Sequence, residues 1–162
     1  MEKRKTIVFV LLALIMALGA IPASAQDKPA DNMQIVIEKI RADKKLFVAE
    51  IMGLTEAEAK TFWPVYEQYQ DELFLLRARI ARLIKDYAEA YENMTNDTAT
   101  RLLEEYMTIE TLELELRRAY LAKFSKVLPE VKVVRYYQIE NKIHAALMYE
   151  LAANIPFMKT AK

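Results

Sequence analysis

The chain has 162 residues, no cysteine, two glycines, 54% hydrophobic and 28% charged residues, and a formal net charge of zero. This composition fits one domain with a real core and few loops, and it points to an almost wholly helical fold. It excludes a disulfide framework, a thiolate metal site and a lipidated N-terminal cysteine, and it lacks the basic excess of a nucleic-acid binder.

Lys3, Arg4 and Lys5 precede an uncharged apolar run from Thr6 to Ile21, and Ala23-Ser24-Ala25 supplies the small residues of a cleavage site. Residues 1–25 read as a secretory signal peptide cut after Ala25, because the run falls short of the ~20 apolar residues of a membrane span. An uncleaved anchor is the alternative. Cleavage would remove three basic residues and one acidic residue, leaving 20 Lys/Arg against 22 Asp/Glu in a periplasmic protein. A flexible polar tail is expected at 26–33, a helical domain at 34–153 and a C-terminal tail at 154–162.

The first helix is predicted over roughly 34–52, with Ile37, Ile40, Leu46, Phe47 and Ile51 near helical spacing. Gly53 ends it where a left-handed residue is easiest to place. Thr55 followed by Glu58 is a capping box, so Gly53-Leu54-Thr55 is a joint between two helices. Pro64, inside the next helix, is expected to kink it or split it.

Between Val65 and Asn93 the residues Tyr66, Tyr69, Leu73, Leu76, Ile80, Leu83, Tyr87 and Ala90 alternate steps of three and four, the seam of a long bundle helix. Residues 93–97 form the next turn, with Thr95 or Asp97 able to cap the third helix. That helix, about 98–127, carries two apolar stripes. One is Leu102, Tyr106, Ile109, Leu116, Tyr120 and Phe124; the other is Leu103, Met107, Leu114, Leu121 and Leu128, a pattern expected to touch two neighbours. Pro129 suits a first helical turn, and a fourth helix runs to about Ala153 with Tyr136, Ile139, Ile143, Leu147 and Leu151 as its stripe. The expected fold is all-α, a four-helix antiparallel hairpin or bundle with long central helices and a kink near Pro64.

Charge gives a second reading of the hairpin. If the turn at 93–97 folds helices two and three against each other, Arg77, Arg79, Arg82 and Lys85 face Glu105, Glu110, Glu113 and Glu115. Glu67, Asp71 and Glu72 then face Arg117, Arg118 and Lys123. Such exposed pairs set register while the apolar seam supplies stability.

Enzyme signatures are scarce: there is no phosphate loop, no cysteine nucleophile, and Ser125 is the only serine after the signal peptide. One histidine cannot build the paired sites of a di-iron bundle. Glu140 and His144 are four apart and read as a surface contact on one helix. Met33, Met52 and His144 nominally permit haem ligation, but methionines in a helical protein are core filler first. No catalytic residue, metal or cofactor is therefore expected. Phe74, Leu75 and Ala78, off the main seam and beside Arg82 and Lys85, form an apolar strip edged by basic groups. It would suit packing against helix one, a subunit contact, or a reversible grip on unfolded chains.

"LTEAE" at 54–58 and "LPEVK" at 128–132, each opening a helix after a break, resemble degenerate copies of the LTxxQ motif of the Spy/CpxP family of periplasmic stress proteins. "FVAEIMGLTEAEAKTFWPVYEQYQ" and "KVLPEVKVVRYYQIENKI" resemble a divergent branch near that family in which an LT, an FWPxY and a QIENK-like string recur. Leu54, Thr55, Leu128 and the helix-start position of Pro129 match the motif; Glu58 and Lys132 stand where it has glutamine. The resemblance implies an all-helical subunit, commonly a curved antiparallel homodimer, acting as an ATP-independent chaperone or as a modulator of an envelope sensor. The histidine-rich segment of zinc-responsive relatives is missing, so no zinc function is expected. The reading from sequence is a periplasmic chaperone-like or envelope-stress adaptor protein that binds unfolded or partner proteins. The alternative is a dedicated regulatory or structural interaction subunit.

Overall fold

The computed structural model describes residues 33–159, with side chains described from Asp43 onward. Four helices follow one another among these residues: α1 Met33–Met52, α2 Glu56–Ala90, α3 Asn96–Ser125 and α4 Glu130–Asn154, with no strand. The expected all-α architecture with long central helices is present. The signal peptide expected at 1–25 lies outside the described residues, as does the polar tail except Met33, which already belongs to α1.

α1 is not one helix. At Asp43 the backbone turns extended (φ −165°, ψ 107°), and the Leu46 amide donates to Asp43 Oδ1 at 3.0 Å. Asp43 thus caps a new helical segment by satisfying an amide that has no partner in the preceding turn. Gly53, at φ 54°, ends the helix in the left-handed conformation expected of it.

Of the two outcomes expected at Pro64, the split does not occur: α2 runs unbroken from Glu56 to Ala90 with Pro64 inside it. A proline there leaves the Lys60 carbonyl without an amide donor, but both residues are exposed, so water can serve that carbonyl. The seam of α2 also moves. Phe62, Tyr66, Tyr69 and Leu73 are buried, followed by Ile80, Ile84 and Ala88, while Leu76, Leu83, Tyr87 and Ala90 are half-buried. A straight helix drifts against a repeat of three-and-four steps, and here the drift carries the seam one residue onward in the second half.

α2 and α3 form the antiparallel hairpin, α1 lies on α4, and α4 touches α3. Thr95 caps α3, accepting from the Thr98 amide at 3.2 Å. Pro129 stands one position before the expected first turn, as the residue preceding α4, where its carbonyl accepts from the Lys132 and Val133 amides at 2.8 and 3.1 Å. Across the hairpin Arg79 forks onto Glu105 at 3.0 and 2.9 Å, Asp86 meets Arg101 at 3.5 Å, and Tyr120 donates to Glu72 at 2.5 Å. These contacts bear out the antiparallel hairpin, and Arg79–Glu105 is one of the expected facings. Others are replaced: Glu67 pairs with Lys45 of α1 at 2.5 Å, and Lys85 and Arg117 pair within their own helices, with Glu89 at 3.8 Å and Glu113 at 2.7 Å. The C-terminal tail is tied down, since Tyr87 donates to the Pro156 carbonyl at 2.8 Å and Lys159 pairs with Glu92 at 2.5 Å.

The main core is aromatic. Phe62, Tyr66, Tyr69, Tyr120, Phe124 and Tyr136 stack edge to face or tilted, with Phe124 and Tyr136 centroids 4.6 Å apart. Towards the loop between α2 and α3 the core shrinks to Ile80, Ile84 and Ile109, with Leu83, Leu151 and Ile155 at its border.

Gly53 offers a clean test of the joint, because a Cβ built there meets nothing within 4 Å. Gly53→Ala should cost roughly 1 kcal/mol from backbone strain alone, read as a melting temperature a few degrees lower. An unchanged melting temperature would show that the joint does not require the left-handed conformation.

Candidate functional site

The two motif-like strings meet in space. Thr55 caps α2, with the Glu58 amide donating to its hydroxyl at 3.3 Å and its own amide donating to Glu58 Oε2 at 2.8 Å, which completes the expected capping box. Lys132, from the second string, donates to the same Glu58 oxygen at 2.5 Å and to the Gly53 carbonyl at 3.2 Å. The Lys132 hydrogen bond, ahead of the Thr55 amide, holds the Glu58 carboxyl below its ordinary value. Leu128 is buried, Leu54 packs half-buried against the same core, and Thr55 and Pro129 are exposed. The six motif positions build a junction between helix starts.

Two carboxylates lie inside the bundle. Glu140 accepts from Lys44 at 3.1 Å, and from Gln70 and Tyr136 at 3.2 Å each; Lys44 also donates to Gln70 at 2.7 Å. Burial, outweighing the attraction of Glu140, lowers the Lys44 ammonium to about 8. Glu113 accepts from Arg117 at 2.7 Å and lies 3.3 Å from His144 Nδ1. Burial alone would push its carboxyl up, but the His144 hydrogen bond and the charges of His144 and Arg117 prevail and hold it at about 2. The expected Glu140–His144 contact along one helix is thus replaced by two links to other helices. Sequence reasoning missed both buried carboxylates, although each sits at a seam position: Glu113 four after Ile109, Glu140 four after Tyr136. Met52, one nominal haem ligand, is wholly buried, and the side chain of Met33 lies outside the described region. Among the described residues no group of three or more His, Asp or Glu could hold a metal ion, and no helix is long and apolar enough to cross a membrane.

The surface carries the apolar features that the core leaves over. Phe74 is 69% exposed and Leu75 65%, and Ala78, Arg82 and Lys85 beside them are exposed as well. The strip is therefore not packed against helix one, because α1 lies on α4. Of the second stripe of α3, expected to meet a neighbour, only Leu128 is buried; Leu103, Met107, Leu114 and Leu121 are exposed. α4 covers the side of α3 marked by Glu113 and Arg117, and no described helix of this chain covers the stripe.

A third feature had no sequence signal. Beside the small isoleucine core, a groove of about 540 Å³ opens between the second half of α2, the first half of α3, the end of α4 and the tail, lined by residues including Leu83, Tyr106, Met148, Leu151 and Met158. That volume lies in the range of ligand pockets, and its wall is almost entirely apolar. Comparison with family models, with curated proteins and with solved structures yields no match for this chain. Chemically, the arrangement offers apolar surface bordered by charge.

The Glu113 site makes an acid prediction. A carboxyl depressed from its ordinary 4.5 to about 2 contributes stability that is whole above pH 4.5 and is lost as pH falls towards 2. Glu113→Gln should flatten that stretch of the stability–pH curve in denaturant titrations. A variant that keeps the wild-type slope there would assign the acid loss to other groups.

Proposed function

We propose that this chain is an exported, ATP-independent chaperone-like or envelope-stress adaptor protein of the Spy/CpxP-like kind, binding unfolded or partner proteins without a cofactor. The observation that carries this reading is the exposed strip of Phe74, Leu75 and Ala78 beside Arg82 and Lys85, left outside a completed core. Apolar side chains at this exposure, edged by cations, can hold segments of unfolded chains weakly and release them without an energy source. Support also comes from the exposed stripe Leu103, Met107, Leu114 and Leu121, to which we assign the homodimer that the resemblance implies. A single two-helix seam lies at the small end of stable interfaces, so this association is concentration dependent. Binding, in this reading, replaces catalysis.

Protein purified from a periplasmic fraction should begin at Gln26 and suppress aggregation of several unrelated clients without ATP. Light scattering on the same sample should show the dimer, and Leu114→Lys should abolish it. Phe74→Ser and Leu75→Ser should change stability by no more than ~0.5 kcal/mol, as exposed substitutions do, yet weaken suppression. A loss of ~2–5 kcal/mol would instead mark the strip as an obligate interface. Wild-type protein that protects no client would favour the dedicated interaction subunit.

A further inference from the structure

The groove at the loop end of the bundle is bounded on one side by a piece of the chain's own tail. Ile155 and Met158, three residues apart in the tail, form one of its walls, and Ile155 packs at the border of the isoleucine core. Between them the Pro156 carbonyl accepts from the Tyr87 hydroxyl at 2.8 Å, and beyond them Lys159 pairs with Glu92 at 2.5 Å and sits 5.3 Å from the centroid of the Tyr91 ring. The contact from Tyr87 is to a main-chain carbonyl, a group that a peptide repeats at every residue and a hydrocarbon chain offers at one end at most. Three of the chain's eight methionines, Met94, Met148 and Met158, line the groove. Unbranched, polarisable side chains of this kind adapt to apolar partners of different shape.

We propose that this groove is a docking site for an apolar peptide segment of an unfolded client, and that the chain's own tail is a displaceable strap competing for it. The inference rests on the chaperone reading and names a site for it distinct from the α2 strip. A client segment enters with apolar side chains three or four residues apart, takes the Tyr87 hydroxyl for one of its carbonyls, and displaces Ile155 and Met158. The strap is light. One hydrogen bond and one half-exposed ion pair hold its outer part, and Phe157 between them is almost fully exposed. The client takes over the Tyr87 hydrogen bond, so the ion pair is the net loss on displacement, and its prior release corresponds to a gain of about two- to fivefold in client affinity.

The absence of cysteine makes a direct test available in the full chain. Thr100→Cys, exposed on the groove wall, and Glu115→Cys, exposed on the same helix and outside the wall, can each carry an environment-sensitive fluorophore. Reduced, carboxymethylated α-lactalbumin, which stays unfolded, should shift the label at position 100 saturably and leave that at 115 unmoved. Lys159→Glu, which breaks the outer ion pair and leaves the Tyr87 hydroxyl to the client, should raise the affinity about two- to fivefold, and Tyr106→Ser, on the wall but outside the dimer stripe, should lower it. An unmoved label at 100 in protein that still suppresses aggregation would overturn the groove and leave the chaperone reading standing. A saturable shift in protein that protects no client would do the reverse. A label that answers to dodecanoate and not to the unfolded probe would overturn the peptide assignment, and an unchanged affinity in the Lys159→Glu variant would overturn the strap.

Discussion

All four helices meet at Tyr136. Its ring lies against Phe62, Tyr66 and Tyr69 of α2 and against Phe124 of α3, at centroid distances of 4.6–6.3 Å. Its hydroxyl reaches Glu140 on its own helix and Gln70 on α2, and Glu140 in turn holds Lys44 of α1. The ring supplies apolar area and quadrupolar edge-to-face contact; the hydroxyl satisfies a buried carboxylate that would otherwise be costly. Burial pushes the Tyr136 hydroxyl far above its ordinary range, with the Glu140 charge adding to the effect, so it stays a neutral donor at any ordinary pH. Removing either half would strand the other: without Glu140 the Lys44 ammonium loses its charge partner, and without Lys44 the carboxylate keeps only neutral donors.

That hub also explains why the opposite end of the bundle is open. The aromatic cluster uses the large side chains of α2, α3 and α4 where α1 can close over α4. Past Leu73 the seam continues with isoleucine and alanine. The small isoleucine core does not fill this end, a groove remains beside it, and the tail forms one of the groove's walls. Stability and binding capacity are thereby separated along one long axis. The dense end fixes the fold, and the sparse end can exchange contacts at little cost to it.

Much of this architecture is legible from local chemistry. The capping box at Thr55, the left-handed Gly53, the Thr95 cap and the α2–α3 register obey rules that need only neighbours in sequence. The misreadings have physical causes of the same clarity. The split allowed for at Pro64 is avoided because the carbonyl it orphans belongs to an exposed residue, whereas Asp43 reads as an ordinary helical position and is a cap. Glu113 and Glu140 read as surface charges because a charge alone does not reveal a partner on another helix. Their place in the apolar seam is the available clue. The exposed strip of α2 is legible as residues but not as exposed, since only the docking of α1 on α4 decides that it stays uncovered.

Glu58 and Lys132, the two positions at which the strings differ from the LTxxQ pattern they resemble, face each other at 2.5 Å. Two amides at the same places would offer the same services: an acceptor for the Thr55 amide, a donor for the Gly53 carbonyl, and a hydrogen bond between them. A carboxylate opposite an ammonium preserves that pattern and adds charge, whereas either replacement alone would set a charge against a neutral amide. What the strings encode is the angle at which two helix starts meet, and so the placement of Phe62 and Val133 within the aromatic core. The client-binding surface we propose lies on other residues, which the motif does not specify.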